Sequence, residues 1–214
     1  MANIVVVDEI NRAMPKTQSC LLECMQEHPV TVDLTTRNLP RPFMIIATQN
    51  PIELEGTFPL PEAQLDRFLL RVAIGHPTEK EESRMILLYG QENPLRQLES
   101  VIDTDVIFEQ QKICRNVYSD DSVRHYLLAI IRETREHADV KLGASPRSSL
   151  GLHTACQALV AIHGRNYIIP DDVKALIIPV LAHRLILKTK ARLRGTTAED
   201  VLENILSETA VPVE

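Results

Sequence analysis

The chain has 214 residues, 44% of them hydrophobic and 24% charged, with a formal net charge of −6. That balance belongs to a globular chain with enough apolar material for one large domain or two small ones, and it excludes a global basic field that would recruit nucleic acid. The apolar runs are short and broken by charge, which excludes a membrane span, and the first residues show neither the basic nor the apolar region of a secretory signal. Four cysteines (Cys20, Cys24, Cys114, Cys156) form no CxxC pattern, so reduced thiols in a cytoplasmic protein are expected, with Cys20 and Cys24 lining the core face of one helix.

In chain order, the continuous β-branched run Ile4 to Val7 predicts a strand covered on both faces. Pro15 opens a helix that turns Leu21, Leu22 and Met25 inward and ends near His28-Pro29. Val30 to Leu34 and Asn38 to Arg41 flank a polar turn at Thr35 to Arg37, the pattern of a hairpin. Phe43 to Thr48 predicts a second buried strand, followed by a loop rich in Pro and Gly. Pro61 to Phe68 predicts a short helix, and Leu69 to Ile74 a third strand. Strand alternating with helix implies a parallel sheet. From Thr78 only helices are expected, over Glu79 to Tyr89, Asp105 to Val117, Asp120 to His137, Pro146 to His163, Pro170 to His183 and Ala198 to Leu206. Asn93-Pro94 marks the linker, so the chain divides into an α/β piece, 1–92, and a helical piece, 93–214.

Four stretches could carry chemistry. Asp8 and Glu9 end the first strand, where ligands of parallel sheets bind; adjacent strand side chains point opposite ways, so one acid can hold Mg²⁺ and the other can polarise a water. The other reading is that they cap the next helix. The second strand ends in Thr48-Gln49-Asn50-Pro51, and Asn50 can donate to a phosphate while accepting from a water; a plain polar turn is the alternative. Arg67 closes the short helix, placed either to reach a neighbouring subunit's nucleotide or to pair locally with Asp66 or Glu62. In Gly143-Ala144-Ser145-Pro146-Arg147, Ser145 reads as an N-cap and Pro146 as the first helical residue, which puts Arg147 in a first turn suited to an anion.

Together, ANIVVVDEINRA, KTQSCLLECMQEHPVTVD, LPRPFMIIATQNPIELEGTFPLPEAQLDRFLLRV and GASPRSSLGL resemble the MoxR family of AAA+ ATPases, over Ala2 to about Leu206. The resemblance implies a partial AAA+ P-loop NTPase core, a parallel sheet with flanking helices, followed by an all-helical lid. It implies ATP and Mg²⁺ as ligands. It makes Asp8 the metal-facing Walker B acid, Glu9 its catalytic partner, Asn50 sensor 1, Arg67 an arginine finger and Arg147 sensor 2. Val30 to Arg41 resembles the hairpin before sensor 1. The family implies a ring, taken as a hexamer, that couples ATP hydrolysis to chaperone-like remodelling or maturation of client complexes, with von Willebrand factor A-domain proteins among its partners.

The family also carries a phosphate-binding GxxxxGK[ST] loop upstream of Walker B. The chain has seven glycines and none is followed by lysine. The loop contacts the phosphates and ligates Mg²⁺ through its Ser/Thr, so this chain alone is expected to be inactive. A segment missing from the given sequence is the expected cause, and a natural hydrolysis-dead interaction or assembly subunit, lending Arg67 to its neighbour, is the alternative. A DNA-acting relative is disfavoured, because the hairpin offers only Arg37 and Arg41 as cations. The stretch Arg184 to Arg194 holds five basic residues, more than typical MoxR sequences, and reads as a solvated or subunit-facing surface without nucleic acid. Scattered histidines, His153 and His163 among them, show no metal-ligand spacing.

Overall fold

The computed structural model describes residues 2–27, 29–32, 35–50, 56–90 and 93–212. Strand β1 (Ile4–Val7) pairs in parallel with β4 (Met44–Ala47), in the register Ile4↔Met44 to Val7↔Ala47. A parallel pair needs a crossover, and helix α1 (Pro15–Glu27) with the hairpin β2 (Pro29–Val32) and β3 (Thr35–Asn38) supplies it. Helix α2 (Glu62–Leu65) follows. Ile10, Leu22 and Leu60 form a small core here, with Val7, Leu21, Met25, Ala47, Leu65 and Phe68 packed around it.

Several expectations change. Thr35 to Arg37 is strand rather than turn, as suits two β-branched threonines; residues 33–34 and 51–55, the latter expected as part of a loop, lie outside the described residues. Only one face of the β1–β4 pair is covered: Val5, Val7, Ile45 and Ala47 are half-buried, while Ile4, Val6, Met44 and Ile46 are 42–66% exposed, because no described element lies over them. Leu69 to Ile74 forms no strand. It pairs with no described strand edge, and the Arg71 N–H donates to the Pro179 carbonyl at 2.8 Å instead, so an apolar run without a partner edge makes no ladder. Cys24 is buried but Cys20 is exposed, on the side of α1 away from the stripe of Gln18, Leu22 and Met25.

Helix α3 (Glu79–Tyr89) buries no residue and is opened by a capping box, Thr78 with Glu81. A 3₁₀ turn at Pro94–Gln97 leads to α4 (Thr104–Arg115). The main core lies among α5 (Asp121–Glu136), α6 (Pro146–Ile162), α7 (Pro170–Leu181) and α9 (Ala198–Glu208). In α5 the buried residues Val123, Tyr126, Leu127, Ile130, Ile131 and Thr134 recur at the spacing of one helical face. They meet Leu152, Val160, Ile177, Leu181 and Leu202.

The second half is not helices only. β5 (Val140–Leu142) and β6 (Ile186–Leu187) pair antiparallel, and a short α8 (Thr189–Leu193) follows. Strands of two and three residues are too short to show a period. Gly143, between β5 and α6, lies so close to α5 that a Cβ would sit 2.6 Å from the Thr134 carbonyl oxygen and from the Arg135 Cα. That approach lets the Ala144 N–H donate to Thr134 Oγ1 at 3.0 Å and Arg135 Nε donate to the Ala144 carbonyl at 2.8 Å. The start of α6 is thereby fixed. Gly143→Ala is expected to lower unfolding stability by about 1–3 kcal/mol, since backbone must move to admit the methyl group. Chemical denaturation checks this, and an unchanged midpoint would contradict it.

Candidate functional site

The edge at the carboxyl ends of β1 and β4 gathers polar groups. Thr48, the first residue past β4, sits opposite Asp8, the first past β1. Its hydroxyl donates to Asp8 Oδ1 at 2.5 Å and accepts from the Glu9 N–H at 2.9 Å. The Thr48 carbonyl takes the Ile10 N–H at 3.0 Å, and its N–H donates to the Val7 carbonyl at 2.9 Å. One threonine therefore holds the backbone on both sides of Glu9. Glu9 is in the left-handed region, at φ 48° and ψ 55°, an uncommon state for a residue with a side chain. Such strain persists where the surroundings over-determine the conformation, and it concentrates at functional positions. The Glu9 carboxylate meets Arg12 Nε at 2.7 Å, with both side chains partly exposed.

Asn50 is half-buried two residues further on, and Asn11 Nδ2 donates to its carbonyl at 3.5 Å. A buried amide missed by the sequence reading braces this edge. Gln18, on α1, donates through Nε2 to the carbonyls of Ile10 at 3.1 Å and Phe58 at 2.9 Å. It thus ties the turn after Glu9 to the loop that leads into α2.

Arg67 follows α2 and is half-buried; among the described residues it makes no ion pair. The expected local partner, Asp66, is engaged elsewhere. Its carboxylate accepts from Arg184 Nη1 at 3.2 Å and from Ser145 Oγ at 3.3 and 3.4 Å. Ser145 stands at the N-cap of α6, with Pro146 in the first turn as expected, but its side chain caps nothing. Arg147 is exposed in that first turn. The structure therefore brings Asp8, Glu9 and Asn50 to one sheet edge and links the turns bearing Arg67 and Arg147 through Asp66. Among the described residues no ion pair joins these two groups.

Residues 1–70 match the profile of the ATPase family associated with various cellular activities (AAA), and residues 132–205 match the AAA lid domain. The chain is 40% identical to Chaperone MoxR1 of Mycobacterium tuberculosis over 99% of its own length and 58% of that protein. It is 48% identical to the uncharacterized protein YeaC of Bacillus subtilis, over 100% of this chain and 67% of that one. The chain belongs to the MoxR family of AAA+ ATPases. The crystal structure of a candidate ATPase from Cytophaga hutchinsonii superposes on this MoxR-family fold with a TM-score of 0.93, at 32% identity, covering 99% of this chain and 67% of that one. The chain thus spans roughly three fifths to two thirds of the relatives it matches. An α/β core with a helical lid is the fold of the family.

In this MoxR-family lid the stretch Arg184 to Arg194 is not the uniform surface expected from its charges. Arg184 is buried while the other four are exposed, and of those Lys188 Nζ donates to the Ala138 carbonyl at 2.6 Å and Arg194 pairs with Asp139 at 2.6 Å. Charge alone could not separate them. Beside Arg184, the buried His183 lies with Nε2 3.0 Å from the Phe68 carbonyl. Only a protonated Nε2 can bond a carbonyl, so Nδ1 carries the lone pair, and it has no partner. Burial, aided by the charges of Arg184 and Arg71, pulls the imidazole below its ordinary pKa.

Two outcomes follow. Near pH 6.5 the unfolded chain takes up a proton at His183 more readily than the folded chain, so this part of the stability is present above about pH 6.5 and is lost as pH falls. His153, half-buried, titrates in the same direction. The drop in stability between about pH 7.5 and 5.5 should therefore shrink, without vanishing, in His183→Gln, whose amide still donates to Phe68. A drop of unchanged size in melting experiments would contradict this. At the sheet edge, Glu9→Gly should leave stability within a few tenths of a kcal/mol or raise it by up to about 1 kcal/mol, because relief of left-handed strain offsets the added chain entropy. A loss beyond about 1 kcal/mol in urea titration would show that Glu9 is unstrained.

Proposed function

We propose that this chain is the Walker B, sensor and lid portion of a hexameric ring ATPase of the cytoplasm. The ring couples ATP hydrolysis to remodelling or maturation of client protein complexes, von Willebrand factor A-domain proteins among its partners. The core is assigned to residues 1–92 and the lid to residues 93–214. The observation that carries the reading is the edge where Asp8 and Glu9 stand beside Asn50, with Thr48 bonded to both acid-bearing residues. The name of the mycobacterial relative, Chaperone MoxR1, supports the chaperone class.

Each residue has a part. Asp8 presents an exposed carboxylate with one oxygen engaged by Thr48, a fit for Mg²⁺, which keeps its waters and takes one or two carboxylates; Mg²⁺ held there would neutralise charge on phosphate oxygens. Glu9 orients and polarises the attacking water. In the conformation seen it faces Arg12, and a partly exposed pair of that kind contributes only about 0–1 kcal/mol, so it releases easily. Asn50 bridges that water and the γ-phosphate. Arg67, uncommitted to a local ion pair, offsets charge at the neighbouring subunit's site, and Arg147 reads the phosphate from the lid. The phosphates themselves need a GxxxxGK[ST] loop, which the 214 residues do not contain, so the reading applies to an assembly that supplies one.

The test is made on that assembly. Glu9→Gln should stop hydrolysis and spare ATP binding. Arg67→Ala should lower turnover by roughly 10³–10⁵, the range for an arginine finger, in a subunit that still folds and binds ATP. Mixing the two variants should restore hydrolysis, since an intact Glu9 then meets an intact neighbouring Arg67. Parental turnover in Arg67→Ala would reduce that residue to a surface charge. Persistent hydrolysis in Glu9→Gln would remove Glu9 from its role. Assemblies in which Arg67 matters only for a partner's site, with no hydrolysis dependent on Glu9, would favour the non-catalytic assembly subunit.

A further inference from the structure

We propose that Arg184 and Asp66 form a clamp that positions Arg67 for the neighbouring subunit's site and joins its turn to the helix that carries Arg147. The proposal rests on the reading of Arg67 as acting in trans. The Arg184 side chain is 3% exposed and belongs to the 3₁₀ turn Ala182–Arg184 that follows α7, far along the chain from Arg67. Its donors are used on the segment around that residue: Nη1 donates to Asp66 Oδ1 at 3.2 Å, and Nη2 to the carbonyls of Phe68 at 2.8 Å and Leu69 at 3.5 Å. His183 Nε2 holds the same Phe68 carbonyl. The residues before and after Arg67 are therefore tied down while its own side chain makes no ion pair among the described residues. That is the arrangement of a presented group rather than of a structural one.

The other half of the clamp lies on α6. Arg184 Nη1 also donates to Ser148 Oγ at 3.4 Å, one residue past Arg147, and Ser145 Oγ reaches Asp66. Ser145 occupies an N-cap without capping, which forgoes the usual stabilisation of a helix start. Gly151 sits inside α6, where glycine weakens a helix, and a Cβ there would meet Leu69 Cδ1 at 3.3 Å and Arg184 Nη2 at 3.5 Å. Ser145, a good N-cap residue whose hydroxyl is turned away from capping, and Gly151, a poor residue for a helix interior, are thus both suited to the clamp. A lid that shifts with its own nucleotide moves the turn of Arg67 through Asp66, so each subunit's state reaches its neighbour's site.

Mixed assemblies separate the positioning role from simple stability. Acceptor subunits carry Arg67→Ala and donors carry Glu9→Gln, so hydrolysis occurs only where a donor's Arg67 meets an acceptor's Glu9. Adding Asp66→Asn to the donor should lower this hydrolysis about tenfold or more, with the acceptor's KM for ATP unchanged, because small misplacements of a charged catalytic group are costly. The same Asp66→Asn placed on the acceptor should cost much less. Ser145→Ala in the donor, a milder change, should give a smaller fall of the same kind, and it serves if Asp66→Asn fails to enter the ring by native mass spectrometry. Equal losses on donor and acceptor, or none on either, would overturn the clamp alone. No hydrolysis in the reference mixture, with mixed rings verified, would overturn the trans role of Arg67 and the proposal with it.

Discussion

A guanidinium withdrawn from water must find an acceptor wherever water has left, and Arg184 finds them on a distant segment. The Asp66 carboxylate and the Phe68 and Leu69 carbonyls belong to the stretch after α2, and Ser148 belongs to α6. Removing one partner of a buried pair typically costs about 3–5 kcal/mol, and the quarter exposure of Asp66 places this pair at the lower end. The α/β half and the helical half cannot slide past each other without leaving that charge unmatched. The residues next to Arg67 and to Arg147 are both bonded to it.

The sheet edge obeys a different constraint. A parallel pair delivers both strand ends to the same side, and with a two-strand register fixed from Ile4 to Val7 the first residues beyond each strand must meet. Thr48 meets Asp8 and Glu9 there. A hydroxyl can donate and accept at once, so it bonds the carboxylate of one acid and the backbone N–H of the next. The left-handed Glu9 is the local cost, borne by those bonds and by the Gln18 amide that anchors the Ile10 carbonyl below.

The two halves differ in how they are stabilised. The helical half has its own core, in which fully buried side chains from four helices interdigitate. The α/β half has a much smaller one, and α3 between them exposes Met85, Ile86 and Leu87. That helix owes its start to local bonds. The Glu81 carboxyl, held below its usual range by the Thr78 backbone and hydroxyl, closes the capping box.

Period, proline and cap signals act over a few residues, so the sequence by itself determined most of what is local. These include the β-branched strand Ile4–Val7, the helix opened by Pro15, the helical face of α5 and the proline-led start of α6. The meeting of Asp8 with the end of β4 was also legible, because a strand–helix–strand rhythm dictates parallel pairing. What needed tertiary structure depends on partners remote in sequence. Leu69 to Ile74 has a strand-like apolar run but no described edge to pair with, and β5 with β6 has an edge but too few residues to show alternation. The partner of Asp66 lies 118 residues away, and nothing in the composition of the basic stretch distinguishes Arg184 from Arg192. Only burial does so: a charge removed from water is defined by the acceptors that surround it, and those are assembled by the fold.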